Sequence, residues 1–336
     1  MAPSEARLVR FTETGPASVL TIVTEPVEDP REGEVRLRVE AIGLNRAEVM
    51  FREGAYLEQP PLPSKIGYEA AGTIDAVGKN VDDFKIGDRV STIPAFSMGQ
   101  YGVYGERPVV PAAAVAKYPE KLSPREGTAI WMQYITAYGA LIGIGRLSKG
   151  QSVIITAASS SVGIAAIQIA KNIGALVIAT TRGASKAQML LDAGADHVVQ
   201  TDTENLEDRV SEITEGAGAH VIFDPIGGPI LDQLAAAAAP GAQIIEYGAL
   251  DSRPTPFPLF AALGKGLTIR GYTLFEITHD PDLLAKAKAF IYQGLETGDL
   301  VPLLDRTFAF DDVRQAHEYM ESNQQFGKIT LTLDGS

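Results

Sequence analysis

One short polar turn carries residue types that bind phosphate. It reads Ser159-Ser160-Ser161-Val162-Gly163, and it stands between an apolar run, Val153 to Ala157, and a segment whose apolar residues recur every three or four positions. The run is typical of a buried parallel strand, and the segment has the period of a helix face. Free N–H groups and the helix dipole make a helix N-terminus positive. The pattern therefore predicts an anion site.

The elements around this turn indicate a dinucleotide as the anion. Gly174 stands where the helix should end, and Leu176 to Thr180 reads as a second buried strand. Such a βαβ unit of about thirty residues places the turn at the carboxyl end of a parallel sheet. The usual fingerprint has three glycines, and only Gly163 is present, although serine hydroxyls can donate hydrogen bonds to a pyrophosphate. The alternative is an ordinary α/β turn of small residues.

The end of the second strand indicates which dinucleotide binds. An NAD site has an Asp or Glu there, roughly twenty residues past the glycine turn, which binds the ribose hydroxyls. Residues 180–186 contain no acid, and Thr181, Arg182 and Lys186 stand where a 2′-phosphate would lie. One charge-assisted hydrogen bond contributes on the order of 1.5–3 kcal/mol, enough to favour NADPH over NADH roughly tenfold. The sequence predicts NADPH; the alternative is a solvated helix start that happens to be basic.

Composition excludes several classes of protein. The chain has 336 residues, 45% hydrophobic and 21% charged, which suits an ordinary globular protein of two domains. Its net charge of −13 argues against nucleic acid or an anionic membrane as a partner, since both need a basic face. The absence of cysteine excludes disulfides, thiolate nucleophiles and cysteine-ligated zinc. No apolar run is long enough for a signal or a membrane span, so the expected location is cytoplasmic.

Two kinds of pattern divide the chain. Residues 1–125 carry short strands punctuated by glycine, and Val35 to Ala41 alternates strictly, as a half-buried antiparallel strand does. Residues 126–273 alternate helices and strands and predict a complete doubly wound parallel sheet of six strands. The tail, residues 274–336, is predicted to form two amphipathic helices and a last strand, Lys328 to Leu333, that returns to the β domain.

Seven short motifs occur in a fixed order along the chain. They are Gly43-Leu44-Asn45-Arg46-Ala47-Glu48, Gly67-Tyr68-Glu69-Ala70-Ala71-Gly72, Val77-Gly78 followed by Gly87-Asp88-Arg89-Val90, Thr136-Ala137-Tyr138, the serine turn, Phe223-Asp224-Pro225-Ile226-Gly227-Gly228 and Phe326-Gly327-Lys328. Together they resemble the medium-chain dehydrogenases/reductases, and most closely the zinc-free quinone oxidoreductase (zeta-crystallin-like) branch. The resemblance implies an α/β protein in which a GroES-like β domain, residues 1–125 and 274–336, packs on a Rossmann domain, residues 126–273, with the active site in between.

The zinc ligands of related alcohol dehydrogenases have no counterpart in this sequence. Their Gly-His-Glu histidine is Tyr68 here, and their cysteines are missing. The histidines lie far from Glu69 in the sequence and are expected at the surface: His197, His220, His279 and His317. Without a Lewis acid an unactivated alcohol is hard to oxidise, so hydride is expected to reach an acceptor that is already electrophilic. Such an acceptor needs mainly orientation and hydrogen bonds at the developing oxyanion.

The resemblance also implies roles for single residues. Asn45, Tyr56 and Tyr68 would lie near the nicotinamide and the substrate. Tyr68 would donate a hydrogen bond or a proton to an enolate, or form an aromatic wall, since a phenol with a pKa near 10 is a modest acid at pH 7. Glu69 would be a base or, as is more usual in that motif, part of an ion pair. Further cofactor contacts are expected from Gln133, Thr136, Tyr247, Gly248, Gly327 and Lys328.

Several functions remain compatible with these residues. The leading prediction is an NADPH-dependent quinone oxidoreductase without zinc, and a double-bond reductase of enones, alkenals or acrylates stays open. A non-catalytic, crystallin-like NADPH-binding protein is the alternative from another class. The family's tyrosine near the adenosine phosphate is Thr201 here, which departs from the NADPH pattern. Leu267 to Tyr272 would be an edge strand that relatives pair across a two-fold axis, so a homodimer is expected.

Overall fold

The structure is a computed structural model of the chain, and it describes residues 4–333. These residues divide into two compact units. The first, called here the β unit, comprises the chain up to Met132 together with the stretch that begins at Pro302. The second, called here the parallel-sheet unit, comprises Gln133–Val301.

The strands are numbered in chain order. Within the described residues they are β1 (Glu5–Arg10), β2 (Thr21–Pro26), β3 (Glu34–Gly43), β4 (Glu69–Val77), β5 (Arg89–Thr92), β6 (Val109–Pro111), β7 (Val115–Lys117), β8 (Ser152–Ile155), β9 (Leu176–Thr181), β10 (His197–Gln200), β11 (Ala219–Asp224), β12 (Ala238–Glu246), β13 (Thr268–Gly271), β14 (Leu304–Ala309) and β15 (Lys328–Thr332).

The helices are numbered in the same way. They are α1 (Arg46–Arg52), α2 (Met98–Tyr101), α3 (Pro124–Gly127), α4 (Trp131–Tyr138), α5 (Ser161–Ile173), α6 (Ala187–Asp192), α7 (Leu206–Ile213), α8 (Ile230–Ala237), α9 (Leu259–Lys265), α10 (Phe275–Thr278), α11 (Pro281–Thr297) and α12 (Val313–Glu321). None of the helices in residues 4–333 is both long enough and apolar enough to cross a membrane.

The β unit is built on a seven-stranded sheet. Its strands follow the order β14-β15-β3-β4-β5-β7, and β6 also pairs with β3. The strand β15 pairs antiparallel with β3, with Leu331 opposite Ile42. A strand from the C-terminal part of the chain thus joins the sheet formed by the N-terminal strands. This confirms the predicted return of the last strand.

The parallel-sheet unit contains the predicted doubly wound sheet. Its six strands have the order β10-β9-β8-β11-β12-β13, and every neighbouring pair is parallel. The central strand β8 is buried at all four residues because helices cover both faces of such a sheet. The predicted six strands and the predicted edge position of β13 are confirmed.

The borders of the two units differ from the predicted ones. The sequence suggests that residues 274–301 belong with the β domain, but the structure groups them with the parallel sheet. The helix α11 buries Ala287, Ile291 and Leu295 within that unit, and the ring of Phe290 lies 5.2 Å from that of Tyr138. An amphipathic pattern shows that a helix has an apolar face, but it does not show which sheet that face covers.

One of the four histidines was wrongly expected at the surface. His317 is fully buried on α12, and its ring meets the ring of Tyr104 edge-on at 5.9 Å. Burial, together with nearby Arg52 and Arg46, lowers the pKa of His317 to about 3. A neutral imidazole at this position is therefore part of the packing of the β unit.

Candidate active site

The serine turn lies at the carboxyl end of β8 and caps α5. Ser160 is the N-cap residue, and its Oγ accepts a hydrogen bond from the Gly163 amide at 3.0 Å. A Cβ at Gly163 would come within 2.5 Å of the Ala158 carbonyl oxygen, so only glycine fits there. The turn is thus tight enough to leave the first amides of a 13-residue helix available to an anion.

Basic residues stand beside this turn, as the sequence predicts. Lys186 Nζ lies 3.2 Å from Ser159 Oγ, and Arg182 is exposed just after β9, which ends at Thr181. The structure therefore brings Ser159 and Lys186 together at one edge of the sheet. Their contact with a nucleotide stays a prediction.

Asp202, an acidic residue that was not predicted from the sequence, also lies near this corner. The amide of Asp202 donates to the Arg182 carbonyl at 3.0 Å, and its Oδ2 lies 3.9 Å from where a Gly183 Cβ would stand. It follows the neighbouring strand β10, beyond the window of residues 180–186. A carboxylate there would repel a 2′-phosphate or accept hydrogen bonds from a ribose. At the predicted cofactor site, Arg182 and Lys186 would favour a 2′-phosphate, and Asp202 would oppose it.

Two carboxyl groups meet at the ends of β11 and β12. Asp224 accepts hydrogen bonds from Thr156 Oγ1 and from the Gly227 amide, the latter at 2.7 Å. Burial and the adjacent Asp224 raise the pKa of Glu246 well above its usual range. The closeness of the two carboxyl groups therefore favours a proton on Glu246. The sequence offered no signal for it, because the pairing depends on strand register.

The predicted strand-end residues adjoin the turn. The Tyr247 ring stacks on Phe223 at 3.9 Å, and its hydroxyl interacts with the Ser160 side chain. A Cβ at Gly248 would lie 2.7 Å from the Pro225 carbonyl oxygen, so the backbone passes close there. Gln133 and Thr136 lie on α4, both buried, and their cofactor contacts stay predictions.

The β unit holds a second polar cluster, this one fully buried. Lys328 Nζ donates to Asn45 Oδ1 at 2.6 Å and forms an ion pair with Glu69 Oε2. The other carboxylate oxygen of Glu69 accepts the Met132 amide at 2.9 Å. The expected ion pair of Glu69 is therefore confirmed. These contacts hold the ammonium of Lys328 beside Asn45 and Glu69. The predicted contact between Lys328 and the cofactor stays a prediction.

Glycine precedes that lysine for a steric reason. Gly327 has φ +105°, and a Cβ there would come within 2.7 Å of the Leu303 carbonyl oxygen. The Gly-Lys pair therefore delivers the lysine into the cluster from a backbone conformation that other residues rarely adopt.

Glu48 is a further member of this cluster, and its place there was not predicted from the sequence. Its carboxylate is fully buried and accepts the amide of Tyr68 at 3.1 Å and the side-chain amide of Asn45 at 3.2 Å. Burial raises the pKa of Glu48 to about 7, although Lys328 opposes the rise. The residue lies in the first recognised motif, but nothing in that motif says which way its side chain points.

Two tyrosines, Tyr68 and Tyr56, lie next to this cluster. Tyr68 is fully buried, its ring lies 5.8 Å from Phe96, and its hydroxyl interacts electrostatically with that of half-buried Tyr56. Burial raises the pKa of Tyr56 to about 12 and that of Tyr68 further. Both phenols are thus neutral and weaker acids than free phenol, which favours hydrogen-bond donation over proton transfer.

A metal site is not apparent in the part of the chain that the structure describes. No three His, Asp or Glu side chains of residues 4–333 cluster as ligands would. The sequence position of the zinc-binding histidine is Tyr68, which lies beside Phe96 and Tyr56.

Comparisons with known proteins agree with both units. Residues 31–120 match the model of the alcohol dehydrogenase GroES-like domain, and residues 161–288 match that of the zinc-binding dehydrogenase family. The chain is 32% identical over 334 residues to the quinone oxidoreductase of Pongo abelii, covering 97% of this chain and 98% of that protein.

Solved structures give the same picture. Escherichia coli quinone oxidoreductase complexed with NADPH superposes with a TM-score of 0.89 at 28% identity, covering 97% of this chain and all of that one (100%). An NAD-dependent alcohol dehydrogenase superposes with a TM-score of 0.87 at 30% identity, covering 97% and 99%. These matches confirm the predicted fold, a GroES-like β domain with a Rossmann-type parallel sheet.

Proposed function

The chain belongs to the quinone oxidoreductase branch of the medium-chain dehydrogenase/reductase superfamily, and we propose that it is an NADPH-dependent reductase of quinones that works without a metal ion. Membership makes it an oxidoreductase; the cofactor and the substrate are the proposal. The observation that carries it is the tight turn at the N-terminus of α5 with Lys186 beside Ser159.

The residues at the turn fit a phosphorylated dinucleotide. The first amides of α5 and the hydroxyls of Ser159 and Ser160 suit a pyrophosphate, and Arg182 and Lys186 suit a 2′-phosphate. Bound NADPH would supply the hydride. The relative from Escherichia coli was solved with NADPH, which supports the same choice here.

The tyrosine pair suits an acceptor that becomes an oxyanion. Tyr56 can donate its hydroxyl hydrogen to that oxygen, and Tyr68 supports it through the interaction between the two hydroxyls. Their raised pKa values keep both hydroxyl protons in place. Hydride transfer to a quinone leaves a hydroquinone monoanion, which takes its one remaining proton on oxygen, where water can supply it, whereas the enolate left by hydride transfer to an enone needs a proton delivered to carbon. The two neutral phenols therefore favour a quinone over an enone.

Metal independence rests on what stands in the ligand positions. The chain has no cysteine, and Tyr68 replaces the histidine. Elemental analysis of the active protein should find no stoichiometric zinc, and a chelator should leave turnover unchanged. Stoichiometric zinc, with activity lost on chelation, would refute this part of the proposal.

A homodimer through the edge of the parallel sheet is part of the same proposal. The strand β13 leaves one edge unpaired within the unit, and α9 just before it exposes Phe260 at 87% and Leu263 at 72%. Apolar side chains beside an open strand edge favour association with a second copy. Analytical ultracentrifugation should give 71.6 kDa, twice the chain mass of 35.8 kDa, and Phe260→Glu should give the monomer. A wild-type monomer at micromolar concentration would refute it.

Substrate panels test the catalytic proposal. With NADPH present, 1,4-benzoquinone and 9,10-phenanthrenequinone should be reduced faster than a 2-enal or an acrylate. Faster reduction of the enal or acrylate would identify a double-bond reductase, and tight NADPH binding with no turnover would identify a non-catalytic binding protein.

A further inference from the structure

Glu48 collects four hydrogen-bond donors on one buried carboxylate. Its Oε1 accepts the Tyr68 amide at 3.1 Å and Asn45 Nδ2 at 3.2 Å. Its Oε2 accepts the Asn45 amide and the hydroxyl of Tyr104, the latter at 3.3 Å. The side chain thereby joins the N-terminus of α1 to the start of β4.

Only a carboxylate satisfies this arrangement. An amide at position 48 would present one oxygen and one NH₂ group, and the NH₂ group would face donors. The carboxylate of Glu48 has no ammonium of its own, because the nearby Lys328 already pairs with Glu69. Burial of such a charge is unfavourable. The protein thus retains a buried charge whose geometric effect is to fix the donors around it.

The donors that Glu48 fixes include the backbone of Tyr68. On one side the Tyr68 amide is held by Glu48, and on the other its carbonyl accepts Thr92 Oγ1 at 2.7 Å. Gly67 lets the Tyr104 ring lie against the chain, since a Cβ there would come within 2.1 Å of that ring. Both peptide groups of Tyr68 are therefore pinned, and with them its phenol beside Tyr56.

We propose that Glu48 is a positioning residue for the reduction: its ionised carboxylate holds Tyr68, and through it Tyr56, in the place where they stabilise the reduced acceptor. This inference rests on the proposed function. Glu48 touches neither the cofactor nor the substrate in this account; it acts through the Tyr68 backbone.

Protonation of Glu48 weakens the arrangement. A proton on Oε2 has to be donated to the Tyr104 hydroxyl, which reverses that hydrogen bond, and it makes the oxygen a weaker acceptor for the Asn45 amide. The charged and titratable groups around it are Lys328 on β15, Glu69 on β4, the Tyr68, Tyr56 and Tyr104 phenols, and Arg52 with His317 beyond Tyr104. Since the pKa of Glu48 is about 7, turnover falls as the pH drops below 7.

The test compares pH profiles of kcat and KM for a quinone at saturating NADPH, from pH 5.5 to 8.5. Wild-type kcat should fall as the pH drops below 7 and level off about tenfold lower, with the quinone KM unchanged. Glu48→Gln should lower kcat at pH 8 by roughly tenfold and remove the acidic limb. Glu34→Gln is the matched control, because buried Glu34 also accepts a backbone amide, that of Arg31 at 2.8 Å, and a tyrosine hydroxyl, that of Tyr101 at 2.9 Å. It should keep the wild-type profile.

A second variant covers the case in which Glu48→Gln does not fold. Tyr104→Phe removes one donor to the carboxylate and keeps the ring, so it should move the acidic limb to higher pH. An acidic limb that persists in Glu48→Gln, or that stays in place in Tyr104→Phe, would overturn the positioning role alone. A wild-type protein that turns over no quinone at any pH would refute the proposed function and this role with it.

Discussion

Replacing the buried His317 of the β unit tests whether burial keeps its imidazole ring neutral. The folded protein keeps the ring neutral down to about pH 3, and within the described residues neither ring nitrogen has a hydrogen-bond partner. In the unfolded chain the same ring takes up a proton near pH 6.5. The unfolded state therefore binds more protons between pH 6.5 and 3, and stability is lost as the pH falls through that range.

The magnitude follows from the two pKa values. Each pH unit below 6.5 removes about 1.36 kcal/mol, so wild-type folding loses about 2 kcal/mol from this residue at pH 5. Glu48 acts in the opposite direction, because its pKa is raised on folding from 4.5 to about 7 and its contribution is lost as the pH rises through that window. Total stability therefore hides both effects, and only a comparison of variants separates them.

Urea unfolding of His317→Phe and wild type at pH 8 and pH 5 measures the effect. The phenylalanine ring keeps the edge-on contact with Tyr104 and cannot take up a proton. The variant should gain about 2 kcal/mol over wild type on going from pH 8 to pH 5. His279→Gln, at an exposed histidine, is the control and should gain nothing. An equal difference between His317→Phe and wild type at both pH values would refute the reasoning.

Three further substitutions test single contacts. Gly163→Ala forces a Cβ against the Ala158 carbonyl oxygen and should destabilise the protein by about 1–3 kcal/mol and weaken NADPH binding, as read by thermal unfolding and fluorescence titration; unchanged binding would contradict the tight turn. Tyr56→Phe removes the donor to the oxyanion and should lower quinone kcat by roughly tenfold or more with little change in KM; an unchanged kcat would remove Tyr56 from the site. Lys265→Met removes an ammonium that binds carbonyls at the C-terminal end of α8, at 3.2 Å from that of Ala235 and 2.9 Å from that of Ala238, the residue that follows the helix, and should cost about 1 kcal/mol in urea unfolding; no loss would show that the cap is dispensable.

The elements that were predicted correctly have local causes. Runs such as Val153-Ile154-Ile155 show a buried parallel strand by themselves, and Gly174 ends α5 with φ +85° because a left-handed residue is required there. Ser160 and Gly163 are three positions apart on one turn, so their hydrogen bond follows from the motif. The alternation of helices and strands along the chain then predicted the parallel sheet of six strands.

The contacts and residues that the sequence did not identify depend on pairings between distant parts of the chain. Lys328 binds Asn45, 283 positions away in the sequence, and Glu69, 259 positions away. Contacts at such separations leave no periodic pattern in the sequence. Asp202 follows β10 and contacts the end of β9, and Glu246 ends β12 beside the end of β11. Their positions can be predicted only when the order and register of these strands are known. The same holds for His317, whose burial depends on the place where α12 packs.

Fluorescence titration with NADPH and NADH tests the central claim most directly. Wild type should bind NADPH at least tenfold more tightly than NADH, and Arg182→Ala/Lys186→Ala should bind the two about equally. Lys171→Ala, at the opposite end of α5 and paired with Asp196 at 2.6 Å, should keep the wild-type preference. Equal or tighter binding of NADH by wild type would show that Asp202 outweighs the two basic residues, and would contradict the account.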